Sequence, residues 1–252
     1  MTSSSTINNH YQGKPFRLQR GTFQDVKSVL VLGADSRAGV SLIRQYAKQE
    51  GAAPKIHAFC STKNQMDKLT SGHCHSIHTG DAHNAVELDR AIALSQPDVV
   101  IVAVGTDEVK SCSKSQVRTK TTENLVHLLE AKESYSQIRV IIISSAGAGI
   151  SKIKIGFGVG KLMELRSKNV LQDHTLQEEA CVPIFDRVTI VRPTQLTDCG
   201  VSGFLEEFGD REKMPTRRCH LDDLAQFVVN ETYECEFLSD TINVTTQAPI
   251  VQ

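Results

Sequence analysis

Residues 27–39, Lys-Ser-Val-Leu-Val-Leu-Gly-Ala-Asp-Ser-Arg-Ala-Gly, constrain this chain more than any other stretch. An apolar run from Val29 to Leu32 stops at Gly33, a turn of small residues follows, and an amphipathic stretch runs from Val40 to Lys48. That order predicts a buried strand feeding a helix through a tight turn. The first amides of such a helix lack intrahelical partners and carry partial positive charge, so the turn suits a pyrophosphate. Gly33 can turn sharply, and Gly39 can bring the helix close to the sheet. A third, middle glycine is missing, with Asp35 and Ser36 in its place. Ser36 is small enough to admit a phosphate oxygen, and its hydroxyl could donate; Arg37 and Ala38 complete the turn.

The rest of the chain alternates in the same way. Apolar runs at Val29–Leu32, Ile56–Cys60, Val99–Val104, Val140–Ile143 and Val188–Val191, with a weaker one at Ser76–Thr79, are separated by stretches of helical spacing at Val40–Lys48, Ala85–Leu94, Val117–Ala131 and Lys161–Cys181. Continuous apolar strands alternating with helices predict an α/β fold, a Rossmann-type doubly wound parallel sheet. After Val191 the alternation loosens. Residues 194–220 read as loops, Leu221–Thr232 as a helix with Asp222 and Asp223 in its first turn, and Ile242–Val244 as a last strand. That tail is short for a substrate domain, so residues 25–252 read as one domain whose substrate side is built from late loops.

Residues 1–24 contain no acidic residue and are rich in Ser, Thr, Asn and Gln, with Lys14, Arg17 and Arg20 basic. They read as a disordered tail or as an organelle transit segment. The net charge of −1 creates no broad field for nucleic acid. No apolar run approaches the ~20 residues that span a bilayer. The seven cysteines include no Cys-x-x-Cys pair, which fits free thiols in a reducing compartment. The expected location is cytoplasmic, with a mitochondrion or plastid as the alternative.

Ligands in such sheets sit at the carboxyl ends of the strands. After the second strand come Ser61, Thr62 and Lys63, with no acid to hold a free ribose. Ser61 and Lys63, with Arg37 from the glycine turn, suggest the 2′-phosphate of NADP(H), each charge-assisted bond being worth ~1.5–3 kcal/mol. Lys63 could instead solvate a helix start. After the third strand, Asp81, followed by Ala82, could accept from an adenine amine or cap the next helix. Ala103, Val104 and Gly105 end the fourth strand and permit close approach of a ligand. Ser144 and Ser145 end the fifth, where a nicotinamide and substrate would meet, or where serines simply form a turn. No Tyr stands four residues before a Lys, and there is no P-loop, Gly-x-Ser-x-Gly or His-Glu-x-x-His. His73, Cys74, His75, His78 and His83 are metal-ligand types, but without a ligand frame they read as a solvent-exposed connector, and no metal is expected.

These pieces together resemble the atypical short-chain dehydrogenase/reductase group, the NAD(P)H-binding branch that contains NmrA-like proteins and the biliverdin-IXβ/flavin reductases. The likeness spans about 27–245. It rests on Leu32-Gly33-Ala34, Gly80-Asp81, Ala103-Val104-Gly105, Glu123-Asn124-Leu125, Ser144-Ser145-Ala146-Gly147, Asn169 to His174 with Gln177-Glu178, Ile190-Val191-Arg192-Pro193, Leu196-Thr197-Asp198 and Asp223-Leu224-Ala225. The resemblance implies NADP(H) on the first loop and Ser145 as the substrate-side hydroxyl. It places His174 where members carry Lys or His, with Glu178 four residues on. The two form either a proton relay oriented by Glu178 or a structural helix pair. Pro193 would fix the strand exit and Thr194 would touch the nicotinamide amide. The expected activity is NADPH-dependent hydride transfer to a small-molecule acceptor, planar or carbonyl, flavin- or tetrapyrrole-like. The alternatives are a non-catalytic NADP(H) sensor that engages a protein partner through 194–220, and an accessory subunit of a redox complex.

Overall fold

The computed structural model describes residues 25–49, 53–61, 73–105, 116–149, 159–198, 205–210, 212 and 218–246, with side chains of 159–167 left out. The elements, in chain order, are β1 (Ser28–Leu32), α1 (Arg37–Ala47), β2 (Lys55–Cys60), β3 (Ser76–Thr79), α2 (Ala85–Ser95), β4 (Val99–Val102), α3 (Val117–Ala131), β5 (Arg139–Ile143), α4 (Val159–Ala180), β6 (Val188–Pro193), β7 (Gln195–Thr197), β8 (Leu205–Phe208), β9 (Arg218–His220), α5 (Leu221–Glu234) and β10 (Asp240–Thr246). One eight-stranded sheet runs β3-β2-β1-β4-β5-β6-β10-β8. Every neighbouring pair is parallel except β8 on β10. The expected doubly wound α/β sheet is therefore present.

Strand side chains alternate between faces, and β1 divides its apolar residues accordingly. Val29 and Val31 join a core with Leu42, Ile43 and Tyr46 of α1 and Leu224 and Val228 of α5. Leu30 and Leu32 join a second core with Leu88 and Ile92 of α2 and Leu125 and Leu129 of α3. The Tyr46 hydroxyl meets Thr232 Oγ1 at 2.6 Å in the first core, so the pair of helices is tied by a satisfied buried hydrogen bond.

Helix starts follow local chemistry where the residues allow. Asn84 caps α2 by accepting from the Val86 amide at 3.1 Å, while Glu87 takes the Asp81 amide at 2.7 Å. Gln116 gives α3 no side-chain cap. Instead Asp173, from α4, accepts from the amides of Arg118 at 3.3 Å and Thr119 at 3.1 Å. The loop reading of 194–220 needs revision: β7 pairs with β9, and β8 adds an antiparallel edge. These strands have three or four residues and take their order from neighbours, so periodicity could not reveal them.

Candidate functional site

β1 and β4 are neighbours whose outgoing helices cover opposite faces, so a crevice opens between their carboxyl ends. Gly33 turns the chain there with φ +76°, and a Cβ on it would sit 2.7 Å from Val104 Cα. A Cβ on Gly39 would lie 2.3 Å from the Gly33 carbonyl oxygen. The two glycines thus perform the turn and the close packing. Ser36 does different work from that expected. Its hydroxyl donates to the Ala103 carbonyl at 2.6 Å and accepts from the Gly39 amide at 3.0 Å, capping α1 and stitching the loop to β4. An anion would therefore meet the first-turn amides, around Ala38, rather than the Ser36 proton. Val104 and Gly105 follow Ala103 along the same rim. The first-turn amides and small side chains of this helix start fit a pyrophosphate.

Of the two cations expected for a 2′-phosphate, Arg37 alone is among the described residues. Arg37 pairs with Asp198 at 2.8 Å. Ser61 gives its amide and hydroxyl to the Asp35 carboxylate, at 3.2 and 2.9 Å. Lys63 lies outside the described residues. The acid that the end of β2 lacks in the sequence comes to it from the glycine turn. Asp35 and Asp198 are the residues that sequence reasoning missed here, and only the fold brings them in.

Beside β3, Asp81 is exposed and its carboxylate accepts from the His83 amide at 2.9 Å, so it holds the turn that precedes α2. The Ala82 carbonyl accepts from Asn124 at 3.1 Å, which ties α3 to this rim. His73, His75 and His83 are exposed, while His78 is half-buried. Ser76 Oγ bridges His78 Nε2 at 2.8 Å and His57 Nδ1 at 2.6 Å. Among the described residues, no three His, Cys, Asp or Glu side chains assemble as a metal set.

At the end of β5 the two serines separate. Ser144 donates to Glu178 at 2.5 Å. Ser145 is half-buried, and among the described residues its hydroxyl makes only a long 3.4 Å contact with the Ala146 carbonyl, so it can turn toward a ligand. Glu178 does not orient His174. Its two oxygens accept from Arg192 Nε at 2.8 Å and Nη2 at 2.6 Å. Arg192 also reaches Asp210 at 3.1 Å, and Asn243 donates to the same oxygen at 2.9 Å. His174 is buried and meets Gln177 at 3.3 Å. Burial, with the Arg118 charge behind it, pushes its imidazole down to about 3. It stays neutral near pH 7, and with Glu178 turned to Arg192 the two are not joined as the relay reading needs. Pro193 ends β6 with its carbonyl accepting from the Ala146 amide at 2.8 Å. Thr194 is buried with its hydroxyl 2.9 Å from Thr245, so an amide ligand would compete with that contact.

Residues 33–233 match a sequence family described as NAD(P)H-binding. No curated protein matches the chain by sequence. Solved structures share the fold. The anaerobillin reductase ChuY of Escherichia coli is 18% identical, with a TM-score of 0.66 over 89% of this chain and 98% of its own. A short-chain dehydrogenase/reductase of Veillonella parvula, in complex with NADP, is 17% identical, with a TM-score of 0.65 over 89% and 96%. An oxidoreductase of Lactococcus lactis is 15% identical, with a TM-score of 0.65 over 86% and 90%. No described helix is long and apolar enough to cross a membrane.

Proposed function

The chain belongs to the NAD(P)H-binding family, and on that premise we propose that it is a reductase passing hydride from NADP(H) to a planar or carbonyl small molecule, of flavin- or tetrapyrrole-like kind. One observation carries the reading: at the carboxyl end of one sheet, the α1 N-terminus, which follows β1, and the Ser145 hydroxyl, which follows β5, stand on either side of the β4 end. The neighbour in complex with NADP and the neighbour named a reductase support it. When bound, the reduced nicotinamide supplies the hydride.

The chain's own residues bind and orient. Gly33 and Gly39 set the helix end against the pyrophosphate position. Ser145 donates a hydrogen bond to the acceptor's oxygen or ring nitrogen, which polarises it toward attack. A serine is a poor acid, so the final proton is taken from solvent rather than from His174. The Glu178–Arg192 pair, with Ser144 bonded to it, keeps the β5 and β6 ends from shifting.

A non-catalytic sensor is the second reading. The observation favouring it is that His174 is neutral and Glu178 committed to Arg192, which removes two of three candidate catalytic groups from proton transfer. NADPH oxidation followed at 340 nm with flavin, quinone and aldehyde acceptors separates the two. Turnover with any acceptor supports the reductase. No turnover, while NADPH still raises the melting temperature, establishes the sensor. Ser145→Ala is expected to lower kcat about tenfold or more, the range of a single oriented hydrogen bond, with coenzyme affinity unchanged. Unaltered kcat removes Ser145 from the mechanism.

A further inference from the structure

The adenosine end of the crevice holds a carboxylate that the strand itself does not supply. β2 ends at Cys60, and the next residue, Ser61, gives both amide and hydroxyl to Asp35 Oδ2, at 3.2 and 2.9 Å. The loop is drawn onto β2 by a second contact, because the amides of Gly33 and Ala34 share the Phe59 carbonyl at 3.1 Å each. The charge is felt at the strand end: the Cys60 thiol is pushed up to about 12, by burial first and by Asp35 second. Asp35 is half-buried, and among the described residues its Oδ1 accepts no hydrogen bond. A carboxylate here has one oxygen fixed on the strand end and the other without a donor among the described residues.

In a doubly wound sheet the adenosine ribose rests at the end of the second strand, where an acid accepts from its hydroxyls. We infer that Asp35, reaching in from the glycine turn, is the residue that discriminates between the two coenzymes, accepting from the free ribose hydroxyls of NADH and repelling the 2′-phosphate of NADPH. This rests on the coenzyme-binding reading given above. Two like charges at one spot disfavour each other, and a 2′-phosphate brings up to two. Among the described residues the countering cation is Arg37, and it is engaged by Asp198 at 2.8 Å. Asp198 therefore competes with a 2′-phosphate for Arg37. Asp35 and Asp198 together therefore hold NADPH affinity below what the loop's own cation would give.

Calorimetric titration of the full chain with NADH and with NADPH, for the wild type, Asp35→Asn and Asp35→Ser, tests the inference. Asp35→Asn keeps the shape and the bond to Ser61 but removes the charge. The affinity ratio of NADPH to NADH is expected to rise fivefold or more in both variants, with NADH weakened further in Asp35→Ser. Ser61→Ala loosens the anchor and is expected to move the ratio the same way by twofold or more, which keeps the inference testable if an Asp35 variant misfolds. Ratios that stay below these limits, with coenzyme still bound, overturn the role of Asp35 alone. A wild-type chain that binds neither coenzyme overturns the coenzyme-binding reading and this inference with it.

Discussion

At the scale of single residues, the two glycines of the turn differ in kind from the glycine across the crevice. A Cβ on Gly39 would stand 2.3 Å from the Gly33 oxygen and 2.7 Å from Ala34 Cα, both backbone atoms that cannot rotate away. α1 would have to back off the sheet. Gly39→Ala is expected to destabilise by about 1–3 kcal/mol, the usual range for overpacking, and to weaken coenzyme binding because the helix end moves. Gly105 is the control: among the described residues its Cβ would meet only Ser36 Cβ, at 3.4 Å, an ordinary contact. Urea unfolding of both variants checks the contrast, and equal loss would show that space behind Gly39 is not the constraint. Asp35 belongs to the same scale, since one carboxylate, fixed by two bonds to Ser61, sets the charge at the end of β2.

At the scale of elements, the β2–β3 edge carries the pH dependence. His57, on β2, is buried with its Nε2 unpartnered among the described residues. Its ring lies 5.3 Å from that of His75 and 6.2 Å from that of His78. Burial first, then the charges of His75, His78 and Lys55, push it down to about 4. The folded value lies below the ordinary 6.5, so folding favours the neutral ring. Its contribution is present above about 6.5 and is lost as pH falls toward 4. At the far edge, on β8, Glu207 is pushed up to about 7, by burial first and then by Glu236, Asp240 and Glu231. Its contribution runs the opposite way, declining as pH rises from 4.5 through 7. The melting temperature is expected to fall between pH 7 and pH 5 less in His57→Gln than in the wild type. Equal drops in the two would rule out His57 as a source of acid sensitivity.

At the scale of the whole molecule, one buried polar network joins four elements. Glu178 of α4 pairs with Arg192 of β6. Arg192 reaches Asp210, just past β8, and Asn243 of β10 holds the same Asp210 oxygen. The side chains of Arg192 and Glu178 are only 5% and 8% exposed, so removing one partner strands a charge away from water. Glu178→Gln is expected to cost about 3–5 kcal/mol in urea unfolding. The double variant Glu178→Gln, Arg192→Met should regain much of that loss, because no buried cation is left short of a carboxylate, while the partly exposed Asp210 keeps Asn243 and water. A double variant as unstable as the single one would mean the pair contributes through packing alone.

The amino-acid sequence by itself determined the strand and helix order, because apolar runs and helical spacing are local signals that burial on two faces imposes. It also marked Gly33 and Gly39, since a positive φ and a missing Cβ are properties of one residue. It did not reveal β7, β8 and β9, which are too short to show a period and take their geometry from their partners. Nor could it assign the site contacts. Asp35 meets Ser61 across 26 positions, Arg37 meets Asp198 across 161, and Glu178 turns from its helix neighbour His174 to Arg192. Helical spacing put His174 and Glu178 on one face, but a buried carboxylate goes to the nearest full cation, and only the folded packing of α4 on β6 says which cation that is. Charge pairing and burial are decided by distance in space, so the tertiary structure settled which of the chemically able residues remain able to act.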